Sequence, residues 1–393
     1  MKIRLVFIAN NLNIGGPQKG LVALLDELDE DIFDVTVVSM QPGGELRSYI
    51  ERNTPVRDVS TLARAAQMNR ETPLRDVWTL FRFRRFCSIW NYFRGTFARI
   101  TNRPVNPWRQ RVWSAARVPL DTSLGTFDAA FAVSSGLASY YLVDCVSSRR
   151  RFHWIIGDYS RTAIDGAIDR SYFLRMDGAL SVSAACSDIF RGVFPDLDLN
   201  IREFRQLIPW RFYAENASNS PTFETTDDTL RVLTVTRLDP EKGLDLAVDA
   251  CRLLAHRGRA VEWLVLGDGD QRPTLERAIK ESGLQGSMRL LGFRTNVADF
   301  LSSADVFVLP SRTEGRSSAV DEAIAMGVPV VVTNYRTAHT QVHSGVLGVI
   351  CSMEGESLAD AIERLAAAED RGVPERTMGN QDPSPLFLQL TTG

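Results

Sequence analysis

The sequence contains no apolar run that approaches the ~20 residues needed to cross a bilayer. Its first residues, MKIRLVFIANNLNIGG, lack the apolar core and the small-residue cleavage site of a signal peptide. The five cysteines form no Cys-x-x-Cys pair, which argues against a disulfide framework and against a zinc site. No Gly-x-Gly-x-x-Gly follows the first apolar run, so a dinucleotide-dependent oxidoreductase is disfavoured. We therefore expect a cytoplasmic protein with reduced thiols.

The chain has the composition of an ordinary globular protein, with 393 residues of which 44% are apolar and 24% charged. At roughly 150 residues per domain, this length predicts two or three domains. Apolar strands alternate with helical patterns in both halves, beginning with KIRLVFIAN, GGPQKGLVALLDELDE and DVTVVSM. This alternation predicts an α/β protein with two doubly wound, Rossmann-like domains that face a ligand-binding cleft.

The polar stretch ENASNSPTFETTDDT predicts where the two halves meet. We expect a first domain over residues 1–214, a linker over 215–229, a second domain over 230–370 and an atypical tail over 371–393.

One segment of the first half is strongly basic, although the net charge of the chain is −3. Between Arg64 and Arg117 stand twelve arginines, no lysine and only two acidic residues, with aromatic residues interleaved in VWTLFRFRRFCSIWNYFRGTFARI. Such a segment suits an anionic membrane surface, where each cation contributes about 1 kcal/mol. A nucleic-acid surface is one alternative. A buried helix pair with aromatic packing and solvated arginines is another.

The stretch SRTEGRSSAVDEAI follows a buried strand, DVFVLPS, and precedes AMGVPVVVTN. Ser317 or Ser318 is predicted to cap a helix here, which places the amides from Gly315 onward at a helix start where anions bind. Glu314 would then point into the cleft, and Glu322 could accept hydrogen bonds from ribose hydroxyls. The alternative is two ordinary surface acids.

A second cluster lies in VTRLDPEKGLDL, where Arg237 ends a strand. Asp239 is predicted to cap the next helix, with Pro240 at its first position and Lys242 in its first turn. A lysine at a helix start is electrostatically unfavourable unless an anion is bound there. The two cations therefore predict a diphosphate site, with a solvated Lys and a structural Arg as the alternative.

These motifs, together with LGDGD, LLGF and NNLNIGGPQKGL, resemble glycosyltransferase family 4, whose members are retaining enzymes of the GT-B architecture. The stretch FHWIIGDYSR looks most like transferases of capsular and other surface polysaccharides. The resemblance implies a hexosyltransferase with a nucleotide-sugar donor, most often a UDP-sugar, bound chiefly by the second domain. The first domain would face a saccharide or lipid-linked acceptor.

The resemblance also implies a role for each matching position. Arg237 and Lys242 would hold the diphosphate, and Gly16 would approach it from the first domain. Glu314 would contact the donor sugar, together with Asp158 as a second catalytic residue. The remaining donor-binding positions would be Phe293 and Arg294 at the base, Gly315, Ser317 and Ser318 at the phosphates, and Glu322 at the ribose.

Fixed cations and helix amides can stabilise a departing diphosphate without a metal, so no metal and no cofactor are expected. Asp268 and Asp270 in GDGD imitate a metal motif of another transferase architecture, but they read better as a tight turn. Glu314 is then a positioner rather than a nucleophile, because same-face attack with the leaving phosphate as base needs no protein nucleophile. We expect contact with the cytoplasmic face of the membrane through residues 64–117, and no nucleic-acid partner.

The sequence departs from the family pattern at three places. Ile156 stands where relatives carry a histidine that contacts the donor sugar, and the nearby His153 is predicted to be a core or edge residue of the sheet rather than a substitute. The loop GGPQK has Pro17 and Gln18 in place of the usual pair, and we expect the tail to lack the family's long last helix. A catalytically silent nucleotide- or membrane-binding protein, or a nucleotide-sugar epimerase of the same architecture, therefore remains an alternative.

Overall fold

The computed structural model describes residues 2–68, 73–101, 104–161, 164–218, 223–224, 228–342, 348–367 and 380–392. Parts of the predicted basic segment (69–72 and 102–103), linker (219–222 and 225–227) and tail (371–379) lie outside these described residues. The chain divides into two compact units, residues 1–207 with 381–393 and residues 208–380.

The first unit is built on a parallel sheet in the order β3-β2-β1-β4-β5-β6-β7. Because β1 and β4 lie side by side, the strand order reverses between them, as in a doubly wound fold. The strands are β1 (Ile3–Ala9), β2 (Phe33–Ser39), β3 (Val56–Asp58), β4 (Thr126–Ala132), β5 (Ser147–Ile155), β6 (Gly178–Ser181) and β7 (Ile201–Glu203).

Helices connect these strands, and two 3₁₀ turns, Thr122–Leu124 and Tyr159–Arg161, lie in the same unit. The helices are α1 (Gly16–Glu27), α2 (Arg47–Ile50), α3 (Thr61–Ala65), α4 (Pro73–Arg82), α5 (Phe86–Ile100), α6 (Asn106–Ala116), α7 (Leu137–Cys145), α8 (Gly166–Phe173), α9 (Ala184–Val193) and α16 (Ser384–Thr392).

The second unit has a parallel sheet in the order β10-β9-β8-β11-β12-β13. Its strands are β8 (Leu230–Val235), β9 (Val261–Leu266), β10 (Met288–Gly292), β11 (Val306–Leu309), β12 (Val330–Thr333) and β13 (Gly348–Cys351). Its helices are α10 (Trp210–Glu215), α11 (Leu244–His256), α12 (Arg272–Glu281), α13 (Val297–Ser303), α14 (Ser318–Ala325) and α15 (Gly355–Ala366), with 3₁₀ turns at Pro240–Lys242 and Ala338–Thr340. The expectation of two doubly wound parallel sheets is confirmed.

The tail was expected to lack the family's long last helix, and the structure shows a short one, the nine-residue α16. Ser384–Thr392 is helical and belongs to the first unit. Phe387 is fully buried, with its ring centroid 5.0 Å from that of Phe131 in β4, and the Ser384 hydroxyl accepts from the N–H of Asp29 at 3.2 Å. Burial of Phe387 and Leu390, one helical turn apart, explains why this short segment docks.

The boundary between the units also differs from the predicted position after residue 214, because α10 belongs to the second unit. Tyr213 of α10 is buried and hydrogen-bonded to Glu322 of α14, which ties this helix to the second sheet. The polar composition of residues 215–229 marked a loop, but the division falls just before α10.

Candidate active site

The predicted site residues of the second unit gather where its strand order reverses. Strands β8 and β11 are neighbours at this point, and their carboxyl ends lead into Arg237 and Ser311 respectively. Ligands of doubly wound sheets bind outside the carboxyl ends of the strands at this switch point. The fold thus brings two sequence motifs, 72 residues apart along the chain, to one place.

Lys242 and Glu314 form an ion pair here, with 2.7 Å between Nζ and Oε1. Their side chains are only 15% and 11% exposed. The Ser311 hydroxyl donates to the same Glu314 oxygen at 2.8 Å, and Thr337 Oγ1 donates to the Glu314 carbonyl at 2.8 Å. Glu314 is therefore held at both its side chain and its backbone, and its carboxylate fixes the Lys242 ammonium.

Gly243 makes the approach of these two segments possible. Its φ is +61°, in the left-handed region that favours glycine, and a Cβ here would lie 2.0 Å from the carbonyl oxygen of Pro310. The backbone N–H of Arg312 donates to the Glu241 carbonyl at 2.8 Å across the same contact. The sequence did not predict the Lys242–Glu314 pair, since each residue was given its own ligand.

The structure corrects the predicted helix start at Asp239. Residues Pro240–Lys242 form a 3₁₀ turn, and the α-helix begins only at Leu244. The carboxylate of Asp239 pairs with Arg237 instead of capping the turn. Arg237, two residues away, donates to the Asp239 carboxylate, so an ion pair takes the place of the predicted cap. Lys242 is the last residue of this 3₁₀ turn, and its ammonium is held by Glu314.

Ser317 is the residue that caps α14, as one of the two predicted candidates. Its side chain accepts from the N–H of Val320, and Ser318 is the first helical residue. The N–H of Ser317 donates to Gln341 Oε1 at 3.1 Å, so this amide is engaged within the protein. The first-turn amides of Ser318 and Ala319 have no acceptor within the helix, because such amides precede its first hydrogen bond.

Glu322 lies inside α14 and is only 1% exposed. The Tyr213 hydroxyl is its partner, and the pKa of Tyr213 is raised well above its usual value by burial and by the Glu322 charge. The role of Glu322 as a ribose acceptor stays a prediction. In this structure its carboxylate sits beneath the surface beside Tyr213.

Phe293 and Arg294 follow β10, and the Phe293 ring is about half exposed. Arg294 Nη1 donates to the Phe293 carbonyl at 3.0 Å. Gly267 lies beside this strand end, bridged to Gly292, and a Cβ on Gly267 would lie 1.8 Å from the carbonyl oxygen of Thr236. The first glycine of LGDGD is thus required for close backbone packing.

Asp268 of the same motif is engaged within the protein. Its Oδ1 accepts from the N–H of Gly269 at 2.8 Å and from Arg272 Nε at 3.0 Å, and these two donors hold the pKa of Asp268 below its usual value. The predicted tight turn is confirmed. Among the described residues, no cluster of three or more His, Cys, Asp or Glu side chains could hold a metal ion.

Two predicted residues lie in the first unit. The Gly16 carbonyl, at the start of α1, accepts from Gln206 Nε2. Asp158 follows β5, and its Oδ1 accepts from the N–H of Ser160 at 3.0 Å and from the Ser160 hydroxyl at 2.5 Å. Asp158 therefore shapes the turn after β5, and its proposed catalytic role stays a prediction.

His153 is confirmed as a core residue. It is fully buried on β5, where Nδ1 lies 3.1 Å from the Ser139 hydroxyl and Nε2 lies 3.4 Å from that of Ser135. Burial lowers the pKa of His153 to about 3, so the ring is neutral at physiological pH. It does not take the place of the histidine that Ile156 replaces.

A polar cavity of about 260 Å³, which no sequence motif indicated, lies at the carboxyl edge of the first sheet. Asp169 lies at its wall and accepts hydrogen bonds from the hydroxyls of Tyr140 and Tyr159 and, at 2.9 Å, from Gln110 Nε2. Burial raises the pKa of Asp169, while these donors oppose that shift. The lining side chains come from six separate segments without a shared motif, so no local pattern could have revealed the cavity.

The basic segment presents its aromatic residues to solvent. On α5, five apolar side chains that are each more than half exposed follow one another at intervals of four and three residues. Core packing is therefore wrong as an explanation of the interleaved aromatics, of which only Tyr92 is buried. The exposed members, called here the apolar stripe, are Phe86, Trp90, Phe93, Phe97 and Ile100, continued on α4 by Leu74, Trp78 and Phe81.

Residues 229–368 match the sequence family described as glycosyl transferases group 1. The match covers 140 of the 393 residues of the chain. The matched segment encloses Lys242, Glu314 and the other candidate residues of the second unit.

Known sequences also resemble part of this chain. The amylovoran biosynthesis glycosyltransferase AmsK of Erwinia amylovora is 34% identical over 154 residues, which is 37% of this chain and 38% of AmsK. The match thus spans well under half the length of that relative.

Solved structures share the fold over the whole chain. HepE of Anabaena in complex with UDP has a TM-score of 0.64 at 16% identity, covering 100% of this chain and 96% of HepE. S. aureus TarM, in a complex with UDP, fondaparinux and α-GlcNAc-glycerol, has a TM-score of 0.67 at 12% identity, covering 100% of both chains. The likeness in fold therefore extends to the first unit, beyond the residues that match the sequence family.

Proposed function

We propose that the protein is a retaining glycosyltransferase that moves a hexose from a UDP-sugar to a lipid-linked or growing saccharide in surface polysaccharide synthesis. The observation that carries this proposal is the Lys242–Glu314 pair, at the switch point of a sheet within the segment that matches the group 1 family. AmsK is named for the biosynthesis of amylovoran, and HepE and TarM are described with UDP, which supports the classes of product and donor.

In the proposed reaction, a hydroxyl oxygen of the acceptor forms a bond to the anomeric carbon of the donor sugar. The bond between that carbon and the β-phosphate oxygen breaks, and its electron pair stays with the departing UDP. The acceptor proton passes to a phosphate oxygen of UDP on the same face, so the anomeric configuration is retained. No protein nucleophile and no metal are needed in this scheme.

The residues of the second unit have distinct tasks in this scheme. Lys242, Arg237 and the first-turn amides of α14 would stabilise the charge that develops on the diphosphate. Glu314 already accepts from Lys242 and Ser311, which suits a residue that orients a cation and a sugar hydroxyl better than a nucleophile. Phe293 has an exposed ring against which a nucleotide base can stack.

The proposal includes contact with the cytoplasmic face of the membrane through the apolar stripe. No helix among the described residues is long and apolar enough to span a membrane. Exposed aromatic side chains flanked by Arg75, Arg82 and Arg94 are typical of helices that lie in an anionic interface. Asp76 of α4 is buried, and its carboxylate accepts a hydrogen bond from the Tyr92 hydroxyl. The exposed face of α4 is therefore cationic.

A catalytically silent nucleotide-binding protein is the second candidate. Ile156 favours it, because His153 is locked in the core and does not supply the missing imidazole.

An assay of donor hydrolysis in EDTA, with UDP- and GDP-hexoses and with membrane extract as acceptor, separates the two candidate functions. Release or transfer of one sugar with retained anomeric configuration by NMR is expected. Nucleotide binding without any turnover would favour the silent protein.

A further inference from the structure

The first unit contains an open groove of about 670 Å³ between the start of α5 and the end of α6. It is remote in sequence from the candidate active site, and no function described above uses it. Four arginines dominate its walls, together with an aromatic ring and a thiol, namely Arg84, Arg85, Arg111, Arg117, Phe86 and Cys87.

The charge in this groove is largely uncompensated. Arg111 lies 3.5 Å from the carboxylate of Asp165. Within the described part of the chain, no carboxylate pairs with Arg84, Arg85 or Arg117, and none lines the groove. Arg85 Nη2 donates to the Arg117 carbonyl at 3.3 Å, while its buried Nε has no hydrogen-bond partner among the described residues. Like charges held together without a counter-ion favour an anionic ligand.

The backbone at two of these arginines is in an uncommon conformation. Arg84 has φ 57° and Arg117 has φ 43°, in the left-handed region that residues with a Cβ seldom adopt. Arg84 follows the end of α4, and Arg117 is the carboxyl-terminal cap of α6. Both strained residues lie at helix ends and line the same groove. Strained backbone of this kind is common at functional sites.

The start of α5 contributes backbone donors to the same groove. Phe86 and Cys87 are its first two residues, and no side chain caps this 15-residue helix. The amides of a first turn lack partners within the helix and, with the helix dipole, attract phosphate. The carboxyl end of α6 lies at the same groove, and the negative end of its dipole would repel an anion. The Arg117 carbonyl at this end, however, already accepts a hydrogen bond from Arg85.

We propose that this groove binds the phosphate group of a membrane lipid, either a headgroup or the phosphate of a lipid-linked acceptor. A lipid source follows from Phe86, which lines the groove and begins the apolar stripe of α5. A phosphate bound among the arginines would lie where the acyl or prenyl chain can follow the stripe. The inference rests on the proposed membrane contact, and it adds a specific phosphate site to it.

Cys87 provides a direct readout, because it is exposed whereas the other four cysteines are buried. The rate at which a maleimide alkylates Cys87 in the full chain is measured with phosphatidylcholine vesicles alone or with added phosphatidic acid. Further arms use phosphatidylglycerol vesicles matched in surface charge, a polyprenyl phosphate in phosphatidylcholine, soluble pyrophosphate, and a DNA duplex. Vesicle binding is recorded in parallel by sedimentation.

Arg84→Asn with Arg117→Asn removes two charges from the groove, and asparagine tolerates the left-handed backbone. Arg149→Gln with Arg205→Gln removes the same charge from exposed positions outside both the groove and the apolar stripe, and serves as the matched control. Circular dichroism and the unfolding midpoint confirm that both variants fold.

In the wild type and the control, phosphate-monoester lipids are expected to slow the alkylation of Cys87 at least about tenfold more than phosphatidylglycerol does. In the groove variant, the two kinds of lipid are expected to slow alkylation equally. Equal protection by phosphatidylglycerol in all three proteins would leave membrane contact intact and overturn the phosphate site. Protection by pyrophosphate but not by vesicles would overturn the lipid source, and protection by DNA alone would replace it with nucleic acid. Absence of protection in every arm would overturn the inference, while donor turnover would still stand as its own test of the proposed function.

Discussion

The ammonium of Lys242 lies 2.7 Å from the Glu314 carboxylate, although the two residues are 72 positions apart in the chain. Ser311 donates to the same oxygen, so Glu314 accepts two hydrogen bonds at one atom. This pair connects the segments that leave β8 and β11, the two strands at which the second sheet reverses its order. A nucleotide diphosphate bound there would meet a cation whose position is already fixed.

Glu314→Gln is expected to lower kcat by about 10²-fold or more, with little change in nucleotide affinity. The amide keeps the size of the side chain but removes the charge that orients Lys242 and a sugar hydroxyl. Steady-state donor hydrolysis and calorimetry of UDP binding measure the two effects separately. Asp321→Asn, which disturbs the nearby ion pair with Arg316, is a control for loss of an acid in the same region. A Glu314→Gln enzyme with wild-type kcat would rule out a role for this carboxylate.

Gly243→Ala is expected to destabilise the second unit by about 1–3 kcal/mol and to weaken UDP binding. A Cβ at this left-handed residue would lie 2.0 Å from the Pro310 carbonyl, so the Lys242 segment must move away from Glu314. Gly286→Ala is the matched control, because φ is not positive there and a Cβ meets nothing within 4 Å. Denaturant unfolding and UDP titration of both variants are the measurements. Equal losses in the two would show that the close contact at Gly243 is unimportant.

The stability of the first unit is expected to fall as pH decreases from about 6.5, and His153 is the cause. Its pKa is about 3 when folded and near 6.5 when unfolded, so the unfolded chain binds an extra proton between these values. One such proton lowers the free energy of unfolding by up to about 1.4 kcal/mol per pH unit. Urea unfolding at several pH values should show this slope in the wild type and a shallower one in His153→Asn. Parallel slopes would mean that other groups govern acid sensitivity.

The double variant Trp90→Ser with Phe97→Ser should weaken partition onto anionic vesicles by about tenfold or more, since two exposed aromatic side chains of the apolar stripe are lost. Leu174→Ser removes an equally exposed apolar side chain elsewhere in the first unit and should have little effect. Vesicle sedimentation compares the three proteins. If the stripe variant binds as well as the wild type, the stripe does not contact the bilayer.

The architecture could be predicted from sequence because its signal is local. Each strand of the second sheet is a short apolar run, and each connecting helix shows its own amphipathic pattern, so strict alternation predicted the doubly wound sheets. The cap at Ser317 likewise depends on neighbours within one turn.

Features that depend on long-range partners could not be predicted in this way. Asp239 had the position of a helix cap, but Arg237 takes its carboxylate. Helix α16 was missed because its pattern is short and its burial depends on Phe7 and Phe131, far away in the chain. The cavity beside Asp169 and the arginine groove are assembled from segments with no common motif.

The most direct test of the account is a calorimetric titration of wild type and Lys242→Ala with UDP in EDTA. Removing one charge-assisted contact to the diphosphate should weaken UDP binding by roughly 10- to 100-fold while the protein stays folded. We predict that the wild type binds UDP tightly without a metal and that Lys242→Ala shows this loss of UDP affinity. Equal affinities in the two proteins would contradict the assignment of the Lys242–Glu314 pair as the diphosphate site.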